Sequence, residues 1–224
     1  MKKINLLFAA AFLLIAASSC SKKKNPAPPP VDPGTGLTKI TYLGSADMSV
    51  ARSSLAAAGF GGSVFFAGGS TDNGTTASKA VDVYDALQGV WYTGSLTEAR
   101  YMLAGAAAGA KIAFGGGKTA TGFSKTVDIY DLVKNIWLTS QLSEARAGLA
   151  AAAAGNTIIF AGGKGATGVS KTVDIYNTNT NTWTTGQLSV ARTGLVAAAA
   201  GTKIVFAGGD DDAGHFPLYE VLLW

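Results

Sequence analysis

From residue 38 onward, short apolar stretches alternate with clusters of Gly, Asn, Asp, Thr and Ser. In the third of the repeated segments, the apolar or Thr-rich stretches cover residues 149–154, 157–161, 172–176 and 182–185. Short apolar runs bounded by turn-forming residues are typical of strands joined by tight turns. The pattern therefore predicts a four-stranded antiparallel meander in this segment.

The alanine-rich segment 144–154 is the one place where local propensity disagrees with this pattern. Alanine favours helix when the segment is considered in isolation. The segment ends at Gly155 and Asn156, which form a turn signal, and it lies between two predicted strands. Since a repeated sheet unit must repeat as a whole, we predict a strand here.

The same unit recurs along the chain. Each copy opens with an Ala-Arg pair, at steps of 48, 46 and 46 residues, and the arginines are Arg52, Arg100, Arg146 and Arg192. A Phe-X-Gly-Gly motif follows in every copy, and a Val-Asp-(Val/Ile)-Tyr motif with a Trp seven residues later follows in the first three. A fixed period of this length indicates a repeat architecture.

The period, the double glycine, the Tyr and the Trp together resemble the kelch repeat, and the resemblance covers residues 38–224. It implies an all-β, kelch-type β-propeller whose blades are four-stranded antiparallel sheets. The glycines are expected where a side chain would collide with a neighbouring strand, and Tyr and Trp are expected to pack between adjacent blades. We expect Asp82, Asp128 and Asp174, beside the Tyr, to accept hydrogen bonds from loop amides.

The number of strands suggests how the propeller closes. Three units are complete, whereas the fourth reaches Trp224 without an outer strand, and residues 40–44 resemble the strand that it lacks. We therefore expect the N-terminal segment to complete the last sheet and close a ring of four blades. The small side chains of the innermost strands suit a narrow axis and favour a monomer; the alternative is that two open arcs associate into one ring.

The N-terminus has the order of a secretory signal: Lys2 and Lys3, an apolar run over 4–17, and small residues up to Cys20. The run is too short for a permanent membrane span. It resembles a bacterial lipoprotein signal, which implies lipidation of Cys20, while ordinary signal cleavage is the alternative. The Lys- and Pro-rich stretch that follows is typical of a tether.

These features predict a signal peptide over 1–19, a lipidated cysteine with its tether over 20–37, and a propeller over 38–224. The protein is expected to be exported and anchored by lipid in the bacterial cell envelope, at the outer membrane.

Charge argues against a nucleic-acid partner. The chain has 18 basic and 14 acidic residues, but five lysines and Asp32 precede residue 38, which leaves 13 of each sign in the predicted propeller. Binding to phosphates requires a surplus of Lys and Arg on one face.

The repeated Arg and the loop that follows the double glycine are expected at the same end of each blade, because the first two strands are antiparallel. In the kelch family, arginines at this position can contact acidic peptides, and guanidinium groups suit carboxylates. The resemblance implies a non-catalytic module that binds a protein, an acidic peptide or an acidic sugar. The candidate ligand-binding residues are Arg52, Arg100, Arg146, Arg192, Lys79, Lys125 and Lys171. The alternative is structural, with each Arg paired to a carboxylate or backbone group of a neighbouring blade.

Catalysis has little support in the sequence. His215 is the only histidine, so no metal site and no cofactor are expected, and the run 210–212 of aspartates is interpreted as solvated charge in preference to a calcium site. A resemblance to periplasmic kelch proteins that interconvert sialic acid anomers leaves an enzyme as one alternative, with Glu98 and Glu144 as candidates for proton transfer. A purely structural scaffold is the other.

Overall fold

The structure is a computed structural model that describes residues 44–72, 74–214 and 219–223. The chain divides after Gly44, and the second compact unit is Ser45–Trp224. The described residues form β-strands and no helix. None of them therefore belongs to a helix long and apolar enough to cross a membrane.

The strands fall into four successive blades. The first blade contains β1 (Ala56–Phe60), β2 (Ser63–Ala67), β3 (Ala80–Asp85) and β4 (Val90–Ser95). The second contains β5 (Ala104–Ala108), β6 (Lys111–Gly115), β7 (Thr126–Asp131) and β8 (Ile136–Gln141). The third contains β9 (Ala150–Ala154), β10 (Thr157–Ala161), a loop hairpin of β11 (Lys164–Gly165) and β12 (Gly168–Val169), then β13 (Thr172–Asn177) and β14 (Thr182–Gln187). The fourth contains β15 (Val196–Ala200), β16 (Lys203–Ala207) and β17 (Tyr219–Leu223).

Each of the first three blades is a four-stranded antiparallel meander, and the described part of the fourth is a three-stranded one. The predicted all-β propeller fold is confirmed, and the four strands of the third unit lie within one or two residues of their predicted bounds. The alanine tract is strand β9, paired with β10 from Ala150↔Ala161 to Ala154↔Thr157. Tertiary pairing overrides the helical propensity of alanine here, because the neighbouring strand takes up its backbone hydrogen bonds.

The blades pack face to face along the chain. The first strands β1, β5, β9 and β15 lie next to one another in that order. Between the second and third blades, Ala113 and Ile129 share one core with Ile158, Phe160 and Tyr176. Such packed layers of alternating side chains form the interior of the fold.

The expected role of Tyr and Trp is confirmed. Tyr176 and Trp183 stack with 4.8 Å between ring centroids, and they pack against the second blade. At the junction of the first and second blades, the ring centroids of Phe65 and Tyr130 lie 5.2 Å apart. The aromatic rings therefore fill the space between adjacent sheets.

The double glycine has the predicted steric cause. Gly162 has a φ of +66°, and a β-carbon there would lie 2.6 Å from the carbonyl oxygen of Arg192 in the next blade. Gly68 and Gly116 meet the carbonyls of Arg100 and Arg146 in the same way, at 2.5 and 2.6 Å. Close approach of the next blade thus excludes any larger residue at these three positions.

The strand expected over 40–44 falls outside the described residues apart from Gly44. Closure of the ring by that segment stays a prediction.

Candidate binding face

The repeated arginines lie inside their blades. Arg100, Arg146 and Arg192 are 0% exposed, and the side chain of Arg52 is 0% exposed as well. Each arginine stands in the short connection that leads into the first strand of its blade. In the first three blades its side chain reaches across the ends of the second and third strands.

The third blade shows the geometry of this arginine most completely. Arg146 Nη2 donates to Asp174 Oδ2 at 2.5 Å and to the Phe160 carbonyl at 3.3 Å, while Nη1 donates to the Thr172 carbonyl at 2.9 Å. Nη1 also donates to Glu144 Oε1 at 3.1 Å. One guanidinium group therefore joins β10, β13 and the entry loop of the blade.

The same ion pair recurs in the first and second blades. Arg100 pairs with Asp128, and Arg52 Nη2 lies 2.6 Å from Asp82 Oδ2. Burial lowers the pKa of Arg100 and of Arg146, and the charges of Asp128 and Asp174, respectively, oppose that effect. The paired carboxylates keep both guanidinium groups charged, because each buried charge has an opposite charge beside it.

This arrangement matches the structural alternative for the arginines, with one difference from what was expected. The carboxylate partner belongs to the same blade, not to a neighbouring one. The spacing of 28 residues between Arg and Asp in both the second and third units is the sequence signal that links the two. We call the end of the blades that carries the loops after the double glycines the loop face. The guanidinium groups of Arg52, Arg100, Arg146 and Arg192 are buried inside the blades, so they do not line the surface of the loop face.

The aspartates also hold the entry loops, as predicted. Asp174 Oδ1 accepts the Ser143 amide at 2.9 Å, and Asp128 Oδ1 accepts the Thr97 amide at 3.1 Å. In the first blade Asp82 Oδ1 accepts the Ser49 amide at 3.0 Å. Each carboxylate uses one oxygen for the guanidinium and the other for a loop amide, which confirms its role as a structural acceptor.

The two glutamates before Arg100 and Arg146 are engaged in hydrogen bonds. Glu98 accepts from the Ser124 hydroxyl, and Glu144 accepts from the Ser170 hydroxyl and from Arg146. Burial raises the pKa of Glu144, but hydrogen bonds from Ser170 and Thr172 and the charge of Arg146 outweigh it, so that the pKa is lowered. A carboxyl with a lowered pKa is a poor proton donor at neutral pH, since it is already ionised.

Three lysines occupy equivalent, exposed positions on this face. Lys79, Lys125 and Lys171 directly precede β3, β7 and β13. Their carbonyls accept the amides of Leu96, Leu142 and Leu188 at 2.8, 2.7 and 2.7 Å. The backbone is therefore held in the same way in all three blades, and the three lysine side chains extend from equivalent positions.

Shallow grooves lie between the loops of this face. One, of about 520 Å³, is lined by Glu144, residues 165–170 and Lys171. Another, of about 390 Å³, runs between the loops around Thr75 and Thr119 and reaches Glu98. Both grooves are open to solvent.

The aspartate run 210–212 takes part in local contacts. Lys164 Nζ lies 2.8 Å from Asp212 Oδ1, and Asp211 Oδ1 accepts the amides of Ala213 and Gly214 at 2.9 and 3.1 Å. Among the described residues, no group of three or more His, Cys, Asp and Glu side chains could hold a metal ion. His215 and the predicted lipid anchor Cys20 lie outside the described residues.

The comparisons with known proteins agree with this architecture. The family model of the Kelch motif matches residues 145–187, which span Arg146, the β9–β10 hairpin, β13 and β14. A search of the curated proteins found no match to the chain. The other three units repeat the Ala-Arg and Phe-X-Gly-Gly motifs in register, and all four build the same antiparallel hairpin from their first two strands. The third unit therefore carries a Kelch motif, and the other three units are similar to it in their repeated motifs and strands.

Proposed function

We propose that the chain is a protein-binding module that recognises an acidic segment of its partner on the loop face of the blades. Kelch repeats generally serve protein–protein interaction, which supports the broad assignment. The proposal that the partner segment is acidic rests on three exposed lysines at matching positions of successive blades: Lys79, Lys125 and Lys171.

The repeat makes these lysines more than scattered surface charges. Equivalent backbone hydrogen bonds hold each of them, so the blade repeat sets the spacing of the three backbone positions from which the side chains extend. A partner that carries acidic side chains in an extended segment meets the same charge in each blade. Charge complementarity of this kind sets partner choice and the rate of encounter more than it sets affinity.

The buried arginines support the recognition face indirectly. Their guanidinium groups bind backbone carbonyls and carboxylates inside the blade, which fixes the loops that carry the lysines. Loops that a rigid scaffold positions are the usual carriers of binding function in such folds.

The decisive experiment compares two lysines at opposite ends of β7. Lys125 precedes the strand on the loop face, and Lys134 follows it in the exposed turn at the other end. Immobilised poly-L-glutamate serves as the acidic probe, with binding measured at low and high salt. Lys125→Glu is expected to weaken binding, whereas Lys134→Glu, which changes the charge equally, is expected to leave it unchanged.

The triple variant Lys79→Glu, Lys125→Glu and Lys171→Glu extends the test. One exposed charge pair contributes about 0.2–1 kcal/mol, so we expect a loss of about tenfold and a weaker dependence on salt. Equal losses from Lys125→Glu and Lys134→Glu would contradict recognition on the loop face. Binding of polygalacturonate in place of poly-L-glutamate would identify an acidic sugar as the ligand and overturn the protein assignment.

We also propose that the module is exported and anchored to the envelope through a lipid on Cys20. The support is the signal-like N-terminus followed by a Lys- and Pro-rich stretch. Radiolabelled palmitate is expected to label the wild-type chain in cells and not the Cys20→Ser variant. A wild-type chain that is secreted without label would show that ordinary signal cleavage takes place.

A further inference from the structure

Successive blades meet through one repeated pair of faces. We call the face that packs on the following blade the leading face, and the face that packs on the preceding blade the trailing face. In the third blade, Ala150 and Ile159 belong to the leading face, which packs against Phe206 of the fourth blade. Ile158 and Phe160 belong to the trailing face, which packs against the second blade.

The leading face of the fourth blade is exposed. Val196 occupies the register position of Ala56, Ala104 and Ala150, each of which is 7% exposed, yet Val196 is 67% exposed. On the last strand of the same face, Tyr219 is 66% exposed and Val221 is 44% exposed. Apolar side chains that are covered in three blades are thus open to solvent in the fourth.

The trailing face of the first blade is open in the same way. Phe114, Phe160 and Phe206 are each 0% exposed, whereas Phe66, at the equivalent position, is only half-buried. Trp91 of this face is 40% exposed. A contiguous apolar surface of this kind indicates an interaction site.

Backbone hydrogen bonds mark the same two ends. Between the third and fourth blades, Gly163 N donates to Arg192 O, Arg192 N donates to Ser170 O, and Gly194 N donates to Gly148 O, at 2.9, 3.0 and 2.9 Å. Equivalent bonds join the first blade to the second and the second to the third. Each junction therefore uses the same donors and acceptors.

At the two ends of the described repeat, these groups lack an equivalent bond. Among the described residues of the fourth blade, the amide of Gly209 has no partner like that of Gly163, and the carbonyl of Gly194 has none like that of Gly148. The same is true, within the described part of the first blade, of the backbone of Arg52 and the amide of Ser54. A β-carbon at Gly208 would meet nothing within 4 Å, although the other three glycines of this position face an Arg carbonyl of the next blade. The fourth blade therefore presents half of a junction, and the first blade presents the other half.

We propose that a second copy of this chain completes both halves. The leading face of the fourth blade packs on the trailing face of the partner's first blade, and a twofold axis repeats the contact at the other end. The result is a closed ring of two four-bladed arcs. Head-to-tail contacts that close in this way give a finite assembly, and a ring of eight blades lies within the range that propellers adopt.

The second copy is the occupant that the junction itself specifies. A complete junction needs an Arg backbone from an Ala-Arg pair on one side and a Phe-X-Gly-Gly turn on the other. Residues 1–43 contain neither motif. The open trailing face of the first blade carries the Arg52 pair, and the open leading face of the fourth carries the turn at Gly208 and Gly209.

The first test measures mass in solution with the full chain in which Ser replaces Cys20. Light scattering is expected to give twice the mass of one chain. Val196→Asp places a charge on the exposed leading face and is expected to give single chains with unchanged circular dichroism. Val133→Asp is the matched control, because Val133 is 82% exposed in a turn of the second blade, and it is expected to keep the double mass.

The second test mixes two single-cysteine variants in the same Cys20→Ser background, Ser54→Cys and Gly194→Cys. Position 194 donates to position 148 at 2.9 Å in the chain, and position 102 donates to position 54 at the same distance, so this junction brings α-carbons within reach of a disulfide. Position 54 and position 102 carry Ser and Met at φ values of 53° and 55°, which shows that a side chain is tolerated there. We expect the mixture to form a disulfide-linked pair under oxidising conditions.

Three results would overturn the proposal. One is a single-chain mass with no cross-linked pair in the mixture. Another is a disulfide inside a single chain of the Ser54→Cys and Gly194→Cys double variant, which would show that the chain closes on itself. The third is a ladder of longer polymers, which would show that the contact repeats without closing.

Discussion

Arg146 and Asp174 form a buried ion pair inside the third blade, with 2.5 Å between Nη2 and Oδ2 and side chains that are 0% and 3% exposed. The pair joins the entry loop of the blade to its third strand. Because the second carboxylate oxygen binds the Ser143 amide, one aspartate fixes two connections at once. Each of the first three blades repeats this arrangement, which makes it the main polar support of the loop face.

Removing the carboxylate is expected to be strongly destabilising. Asp174→Ala removes the buried carboxylate partner of Arg146 and leaves only the partly exposed Glu144 beside it. Loss of a buried partner costs about 3–5 kcal/mol in comparable sites. Urea denaturation measures the free energy of unfolding. Asp47→Ala, on an exposed residue, is the control and should change it by less than about 0.5 kcal/mol. A loss below about 1 kcal/mol for Asp174→Ala would contradict the role assigned to the pair.

Replacing both charged residues by apolar ones of similar size tests whether the loss comes from the charges or from the packing of the site. The double variant Arg146→Met and Asp174→Leu removes the buried guanidinium charge together with its buried carboxylate. Apolar replacement of a buried ion pair is often neutral, so most of the stability lost in Asp174→Ala should return. The same denaturation measurement checks this, with recovery expected only when both residues are changed.

Two glycines with the same backbone conformation are expected to respond differently to alanine. Gly162 and Gly208 have φ values of +66° and +68°, but only at Gly162 would the β-carbon meet a carbonyl, at 2.6 Å. Gly208→Ala should cost only the left-handed backbone strain of about 1–2 kcal/mol. Gly162→Ala adds the collision with Arg192 and should cost clearly more. Both variants are compared on the Val196→Asp background, in which single chains are expected. Equal losses in the free energy of unfolding would contradict the steric explanation.

The buried phenylalanines predict a similar contrast between blades. Phe160 is 0% exposed between the second and third blades, so Phe160→Ala should lower the free energy of unfolding by about 3–5 kcal/mol. Phe66 is its half-buried equivalent on the open face of the first blade. On the same Val196→Asp background, Phe66→Ala should therefore lower the free energy of unfolding by markedly less. Thermal unfolding of the two variants measures the difference.

Acid stability is expected to depend on Asp131. The amide of Lys134 is the main cause that lowers the pKa of Asp131 below its ordinary value of 3.8, and the charge of Lys111 adds to it against the effect of burial. A carboxyl with a lowered pKa in the folded state stabilises it above the ordinary pKa, and this stability is lost as the pH falls through the folded value.

Asp131→Asn should therefore lower stability at pH 7 and make its decline below about pH 4 shallower. The turn itself should survive, because Asn177 holds the equivalent turn of the third blade with the same amide bonds, to Asn179 and Thr180. Urea midpoints between pH 2 and pH 7 measure the effect, and Asn177→Asp is the converse variant. Parallel pH profiles for wild type and Asp131→Asn would contradict the assignment.

The repeat and its strands could be predicted from the amino-acid sequence alone. The period of the Ala-Arg and Gly-Gly motifs placed the blades, and turn residues such as Gly155 and Asn156 placed the strands between them. Even the alanine tract 150–154 was predicted as strand, because a repeated sheet must repeat as a whole. The acceptor role of Asp174 followed from its fixed place beside the Tyr.

The surroundings of the repeated arginines could not be predicted in this way, because they depend on how the blade folds. The motif places Arg146 at the end of a blade, but whether its guanidinium points to solvent or inward depends on where Asp174 and the Thr172 carbonyl lie after folding. The same holds for Val196 and Ala150, which have equivalent positions in the repeat and very different exposure. A local pattern specifies the blade, whereas the burial of a side chain depends on whether another blade packs against it.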